Sequence, residues 1–233
     1  MARKKGGGGR GRQRAQQRAQ YDELDKYPVM PPHAFARIVR DKRTLNIIYQ
    51  IIEPPMTKKE QEQREEIMDI FIRSLTANIE EIDGNPEAYL RTAMDKVIKS
   101  YGMKITKKSK SKLFYYIRRD LIGYGQMDVL MNDANVEDIS LDGTGVPIFA
   151  YHRKFESVET TCVWNTDEEL ESYVIKLAQR CGKHISVADP LLDAKQMDGS
   201  RIVSKLGREV TTRGSAFCIR RFKDEPYSPA DIV

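Results

Sequence analysis

Residues 136–164, VEDISLDGTGVPIFAYHRKFESVETTCVW, decide the fold. Residues 136–141 read as a strand. Asp142-Gly143-Thr144-Gly145 is turn chemistry, since glycine supplies positive φ and aspartate bonds its own backbone. Residues 146–152 and 158–164 then read as the two arms of a hairpin. Thr166-Asp167-Glu168-Glu169 follows at once as a capping box and opens a helix. Leu170, Tyr173, Val174, Leu177, Ala178 and Cys181 share one face of that helix, and Gly182 ends it. Further strand-like pieces lie at 185–188, 201–206 and 216–221. Strands in runs beside a single covering helix predict a compact α+β domain over 126–225.

Toward the N-terminus the texture becomes helical, with residues 127–131 the last short piece. Thr57-Lys58-Lys59-Glu60 is a second capping box. The helix behind it carries Ile67, Ile70, Phe71 and Leu75 at helical spacing. Asn85-Pro86 opens another helix, with Tyr89, Leu90, Ala93, Met94, Val97, Ile98 and Tyr101 on one face and Gly102 at its end. A third carries Leu113, Phe114, Ile117 and Leu121. Short connections between three amphipathic helices predict a small helical bundle over 56–125. Ahead of it, the prolines of residues 27–32 exclude a helix. Two apolar runs, 34–39 and 45–52, predict a β-hairpin, so that 21–55 forms a separate extended segment.

The 233 residues suit one or two domains. Residues 1–20 hold seven Lys/Arg, four consecutive glycines and nothing apolar to bury, which predicts a disordered tail. Removing those seven from the total of 39 leaves fewer basic residues than the 34 acidic ones, so the formal charge of +5 belongs to the tail. No apolar segment follows the tail, so it does not read as a secretory signal. Nor does any apolar run reach membrane-spanning length. Cys162, Cys181 and Cys218 form no C-x-x-C pair, which fits reduced thiols in a cytoplasmic protein. Residues 226–233 read as a linker toward a further domain.

Four segments, taken together in their order and spacing, carry a resemblance. They are YPVMPPHAFARIV (27–39), YGQMDVLMNDANVEDISLDG (124–143), KLAQRCGKHISVADPLLDAKQMDGSRI (176–202) and RGSAFCIRRF (213–222). The chain resembles the N-terminal half of the type II/IV secretion ATPase superfamily, its archaeal branch above all. That family drives secretion, type IV pili and the archaellum. The resemblance implies a homo-hexamer at the cytoplasmic face of the membrane, a membrane platform protein as partner, and ATP with Mg2+ as cofactors of the full-length protein. It also implies a C-terminal RecA-like domain, which is absent here. No G-x-x-x-x-G-K-[ST] occurs, so the chain alone is expected to bind no nucleotide and to hydrolyse no ATP.

Within that resemblance, arginines of the N-terminal domain reach the nucleotide phosphates. Arg201, in Asp198-Gly199-Ser200-Arg201, matches best, Arg213 follows, and Arg220 and Arg221 are further candidates. A guanidinium is always charged and presents a fork that fits phosphate oxygens. The same arginines read equally as ordinary ion-paired surface groups.

A second basic cluster holds Lys104, Lys107, Lys108, Lys110 and Lys112, with Arg118 and Arg119, and no acid. It reads as solvated charge, as a docking surface for the platform protein, or as a contact for an anionic membrane surface. Phe114, Tyr115 and Tyr116 interleave with the lysines, which keeps nucleic acid open as a ligand of a non-enzymatic binding module. His33, His152 and His184 lack ligand spacing, and Asp142-Gly143 and Asp198-Gly199 read as plain turns.

Overall fold

A computed structural model describes residues 20–74 and 85–222. Residues 1–19 of the expected disordered tail (1–20), Leu75 of the first helix stripe and the linker at 226–233 lie outside the described residues, while the Gln20 carbonyl accepts from the Lys42 amide at 3.0 Å. The chain divides into two compact units. One takes the residues up to Tyr27, with 36–51 and those from Asp133 onward. The other takes 28–35 and 52–132.

The described residues carry a nine-stranded mixed sheet. Its strands are β1 (Tyr21–Met30), β2 (Ala34–Asp41), β3 (Ile47–Ile52), β4 (Val136–Leu141), β5 (Pro147–His152), β6 (Glu156–Val163), β7 (Leu191–Lys195), β8 (Arg201–Lys205) and β9 (Ala216–Arg220). Their order is β1-β2-β3-β6-β5-β4-β9-β8-β7. The strand pairs from β6 to β7 are antiparallel, while β3 and β6 run parallel with Tyr49 opposite Thr160. Strands β1, β2 and β3 come from the 21–55 segment and continue the sheet of the later residues through a parallel pairing between strands more than 100 residues apart, which leaves no local signature.

Period-2 patterning gives the sheet two unlike faces. Ile139, Leu141, Ile202, Phe217 and Ile219 are buried on one of them. The five-residue strands β7, β8 and β9 alternate strictly between exposed or half-buried and buried positions. Helix α5 (Asp167–Arg180, the last of five α-helices among the described residues) covers the buried face, turning in Leu170, Val174, Leu177 and Ala178. Its Tyr173 ring stands 4.8 Å from Trp164 and 5.9 Å from Phe217. Residues 185–188, expected as a strand, form a turn in which Ser186 and Asp189 exchange backbone bonds of 3.1 Å. Pro190 follows that turn, and β7 begins one residue later.

The second unit is helical: α1 (Lys58–Ser74), α2 (Pro86–Ser100), α3 (Lys107–Leu121) and the short α4 (Asp128–Asn132). Ile67, Phe71, Leu90, Met94, Val97, Leu113, Phe114 and Ile117 form its core. Each such side chain contributes on the order of 1.5–3 kcal/mol by leaving water. Both expected caps form: Asn85 accepts from the Ala88 amide at 3.1 Å, and Thr57 and Glu60 satisfy each other's amides. Among the described residues, no helix is long and apolar enough to cross a membrane.

Candidate functional site

The face of the sheet opposite α5 carries the candidate residues. Directly opposed residues on neighbouring strands share a face. The registers therefore set Asp138, Arg220, Arg201 and Lys195 in one row across β4, β9, β8 and β7. The next row is Ser140, Cys218, Val203 and Asp193.

Arg201 and Arg220 are thus cross-strand neighbours of like charge, which is destabilising unless neutralised. Each has its own carboxylate. Arg201 grips Asp193 through Nε at 2.9 Å and Nη2 at 2.6 Å. Arg220 Nε meets Asp138 at 3.0 Å. Arg201 holds the Asp193 carboxyl below its ordinary range, and Asp193 and Asp138 raise the guanidinium groups of Arg201 and Arg220 respectively. Both pairs are exposed, so water screens them, and a ligand can replace the carboxylates at small cost.

Arg213 stands in the loop that joins β8 and β9, beyond Lys205, which is itself four strand residues or about 13 Å along β8 from Arg201. Local chemistry fixes that loop. Thr211 bonds the Gly207 carbonyl at 3.2 Å, and the Gly207 amide bonds Ser215 Oγ at 2.9 Å. Arg208 ties it to Asp167, at the start of α5, at 2.6 Å. The Arg213 carbonyl accepts from the Thr144 amide at 2.9 Å. Gly143, at φ +127°, packs so closely there that a Cβ would lie 2.3 Å from the Arg213 oxygen. Only glycine tolerates both the angle and the approach.

The loop and the open face enclose a groove of about 640 Å³. Val203, Val210 and Cys218 supply apolar surface, and Thr211, Thr212, Ser140 and Asp142 supply polar groups. Lys205 and Arg213 also line it, and neither has an ion pair among the described residues. Two uncommitted cations beside hydroxyl donors favour an anionic ligand with an apolar part.

Arg221 is turned inward instead. Its Nη1 donates to the carbonyls of Asp133 and, at 2.7 Å, Val136. The four sequence candidates therefore separate into an ion-paired couple (Arg201, Arg220), a groove cation (Arg213) and a backbone clasp (Arg221). Lys205 was missed by sequence reasoning. Its outward register on β8, two residues after Val203, is the signal that finds it.

The lysine cluster separates as well. Lys112 reaches the Pro55 carbonyl at 2.9 Å and Glu60 at 2.8 Å, and Lys110 pairs with Asp95 at 2.5 Å. Lys104, Lys107 and Lys108 are exposed. Phe114, Tyr115 and Tyr116 are buried, so they offer no stacking platform for bases. Arg118 and Arg119 face Asp128 and Glu53. Asp198 bonds the Ser200 amide and hydroxyl, each at 3.0 Å, as a turn residue does.

Relatives exist among proteins of Methanocaldococcus jannaschii. Uncharacterized protein MJ1288 is 39% identical over 164 residues, 70% of this chain and 65% of its own length. Uncharacterized protein MJ0900 is 30% identical over 212 residues, 89% of this chain and 37% of its own. The chain thus spans less than two thirds of either relative. No protein-family model matches it. The VirB11 ATPase of the Brucella suis type IV secretion system, solved with sulphate, shows a weak and partial structural likeness. The TM-score is 0.35 and the identity 19%, over 44% of this chain and 31% of that one.

Proposed function

We propose that this chain is the N-terminal, nucleotide-sensing half of a hexameric type II/IV secretion-type ATPase. In this reading a P-loop domain binds ATP and Mg2+, and the open sheet face described above meets the nucleotide phosphates. The subunit works at the inner face of the membrane with a platform protein of a secretion, pilus or archaellum machine. The observation that carries the reading is the groove in which Lys205 and Arg213, with no ion pair among the described residues, stand beside Thr211 and Thr212 and outnumber its one carboxylate, Asp142. The order of the four sequence segments supplies the family to which such a groove would belong.

The chemistry asked of the groove is modest. Phosphoryl transfer spreads charge over the γ-phosphate oxygens, and cations held in place stabilise that charge without reorganising. Arg201 joins by exchanging Asp193 for phosphate. The test completes the subunit with a P-loop domain and compares turnover of Arg213→Ala, Arg201→Ala and the parent. Cross-domain arginines in other phosphoryl-transfer enzymes are worth about 10³–10⁵ in rate. A loss of that order supports phosphate sensing, with lysine rescuing poorly because it lacks the planar fork. Parental turnover in both variants would leave docking and coupling as the only roles of this half.

A further inference from the structure

Five lysines crowd the turn between α2 and α3. Lys96 and Lys99 stand on the last turns of α2, Lys104 in the connection, and Lys107 and Lys108 in the first turn of α3. All five are exposed, and none has an ion pair among the described residues. The sequence holds no acid between Asp95 and Asp120. Asp95 itself is taken by Lys110. At the centre of the group Tyr101 is 60% exposed.

The fold gains little from this placement: Lys99 alone suits the negative end of the α2 dipole. The lysines repel one another, and Lys107 and Lys108 lie at the positive end of the α3 dipole, where a cation is disfavoured. The compensating charge must come from outside the described structure, from a surface rich in anions. The residue types say which surface. All five cations are lysines, point charges suited to diffuse attraction, where bidentate recognition of single phosphates selects arginine. The aromatics that would stack bases, Phe114, Tyr115 and Tyr116, are committed to the interior. The exposed aromatic of this turn is Tyr101, and tyrosine is a residue that settles at the headgroup level of a bilayer.

We propose that the α2–α3 turn is a docking surface for an anionic lipid bilayer. Tyr101 enters the headgroup region, while Lys96, Lys99, Lys104, Lys107 and Lys108 lie against acidic headgroups. The inference does not depend on the nucleotide reading, since it uses other residues in the other unit.

The test is flotation of the full chain with vesicles of phosphatidylcholine alone or with about 30 mol% phosphatidylserine, across a salt series. The basic residues 1–20 also attract such vesicles, so each variant is made both in the full chain and in a chain lacking residues 1–19. Binding should require phosphatidylserine and weaken with salt. In the shortened chain, replacing Lys104, Lys107 and Lys108 by Gln should weaken it about a hundredfold, near the gain expected for three lysines at an anionic surface. Tyr101→Ser should weaken it by a smaller factor, and Lys205→Gln not at all. Circular dichroism shows whether the variants fold. Parental binding by the folded triple variant would overturn the proposal. So would tighter binding to duplex DNA than to vesicles at equal salt, lost on the same substitutions.

Discussion

Tyr49 donates its hydroxyl to Asp133 Oδ2 at 2.6 Å, across 84 positions of sequence, with both residues buried. Tyr27 donates to the same oxygen at 2.7 Å, and the Asn135 amide bonds the other at 2.9 Å. One carboxylate therefore fastens β1 and β3 to the chain entering β4. Burial and the Asp133 charge raise the pKa of both phenols above the ordinary tyrosine value, so they remain donors. Arg221, bonded to the Asp133 carbonyl, brings the end of β9 to the same point.

This arrangement predicts an asymmetric response to deletion. Hydrogen bonds to charged groups contribute about 1.5–3 kcal/mol. Tyr49→Phe should cost that much in urea unfolding, because the site is dry. Tyr27→Phe should cost less, since Tyr27 is only half-buried and water replaces it. Arg221→Ala should also destabilise, by about 1–3 kcal/mol, because it orphans carbonyls. Costs below about 0.5 kcal/mol for Tyr49→Phe, an ordinary surface effect, would show that Asp133 is not the fastening point.

His152 extends the cluster and gives it a pH dependence. Its Nδ1 accepts from the Lys154 amide at 3.1 Å, so Nε2 carries the hydrogen and donates to the Tyr27 oxygen at 2.9 Å. A second proton would have to displace the Lys154 amide. Burial lowers the His152 pKa below its ordinary value, although Asp133 and Asp25 pull it back. The unfolded chain then binds the proton first as pH falls. Stability is fully present above the unfolded histidine pKa of about 6.5 and is lost as pH falls through it toward the lower folded value. Urea midpoints measured between pH 8 and pH 5 should decline in the parent and flatten in His152→Gln. An equal slope in both would remove His152 as the source.

Glu60 governs a more acidic window. Lys112, then the Thr57 amide, hold its carboxyl down at about 2. With the folded value depressed, its stability is present above the ordinary carboxylate pKa and is lost as pH falls toward 2. Glu60→Gln should cost about 1–3 kcal/mol at neutral pH and shrink the acid-induced loss, as followed by helix content. Lys112→Met should reproduce the second effect. A Gln variant with undiminished acid sensitivity would assign that limb to other carboxylates.

What the sequence made legible was local. Thr57, Asn85 and Thr166 cap helices because each bonds an amide within three residues, which spacing alone reveals. The buried stripe of Leu90, Met94 and Val97 follows from 3.6-residue periodicity. Long-range pairing was not legible. Nothing around Ile48 names Glu159 as its parallel partner, and nothing near Arg221 names the Asp133 carbonyl. The Asp193–Arg201 pair was closer to hand. Both face outward on the two arms of the β7–β8 hairpin, but Leu191-Leu192-Asp193-Ala194-Lys195 went unread as a strand. Its outward Leu191 and the preceding Pro190 masked a five-residue alternation. The division of the candidate arginines into ion-paired, groove-lining and inward-turned groups therefore needed the sheet register.

Cys218 makes the groove itself observable. It lies between Ser140 and Val203 on the open face, exposed, while Cys162 is buried and Cys181 is intermediate. Burial and the nearby Asp138 push the Cys218 thiol up, so its thiolate fraction grows with pH and labelling is best followed above pH 8. In a subunit completed with a P-loop domain, ATP analogue and Mg2+ should slow alkylation of Cys218 severalfold and leave Cys181 unchanged. The warrant is geometric, since a phosphate chain reaching Lys205 and Arg213 passes over the strand that carries Cys218. Joint replacement of Lys205 and Arg213 by Ala should abolish the protection. Arg201→Ala should weaken it less, because Arg201 must first release Asp193. Arg221→Ala should leave protection intact in whatever fraction folds, since its guanidinium serves the backbone. Full protection in the Lys205/Arg213 double variant would place the nucleotide elsewhere on this face and return both cations to ordinary solvated charge.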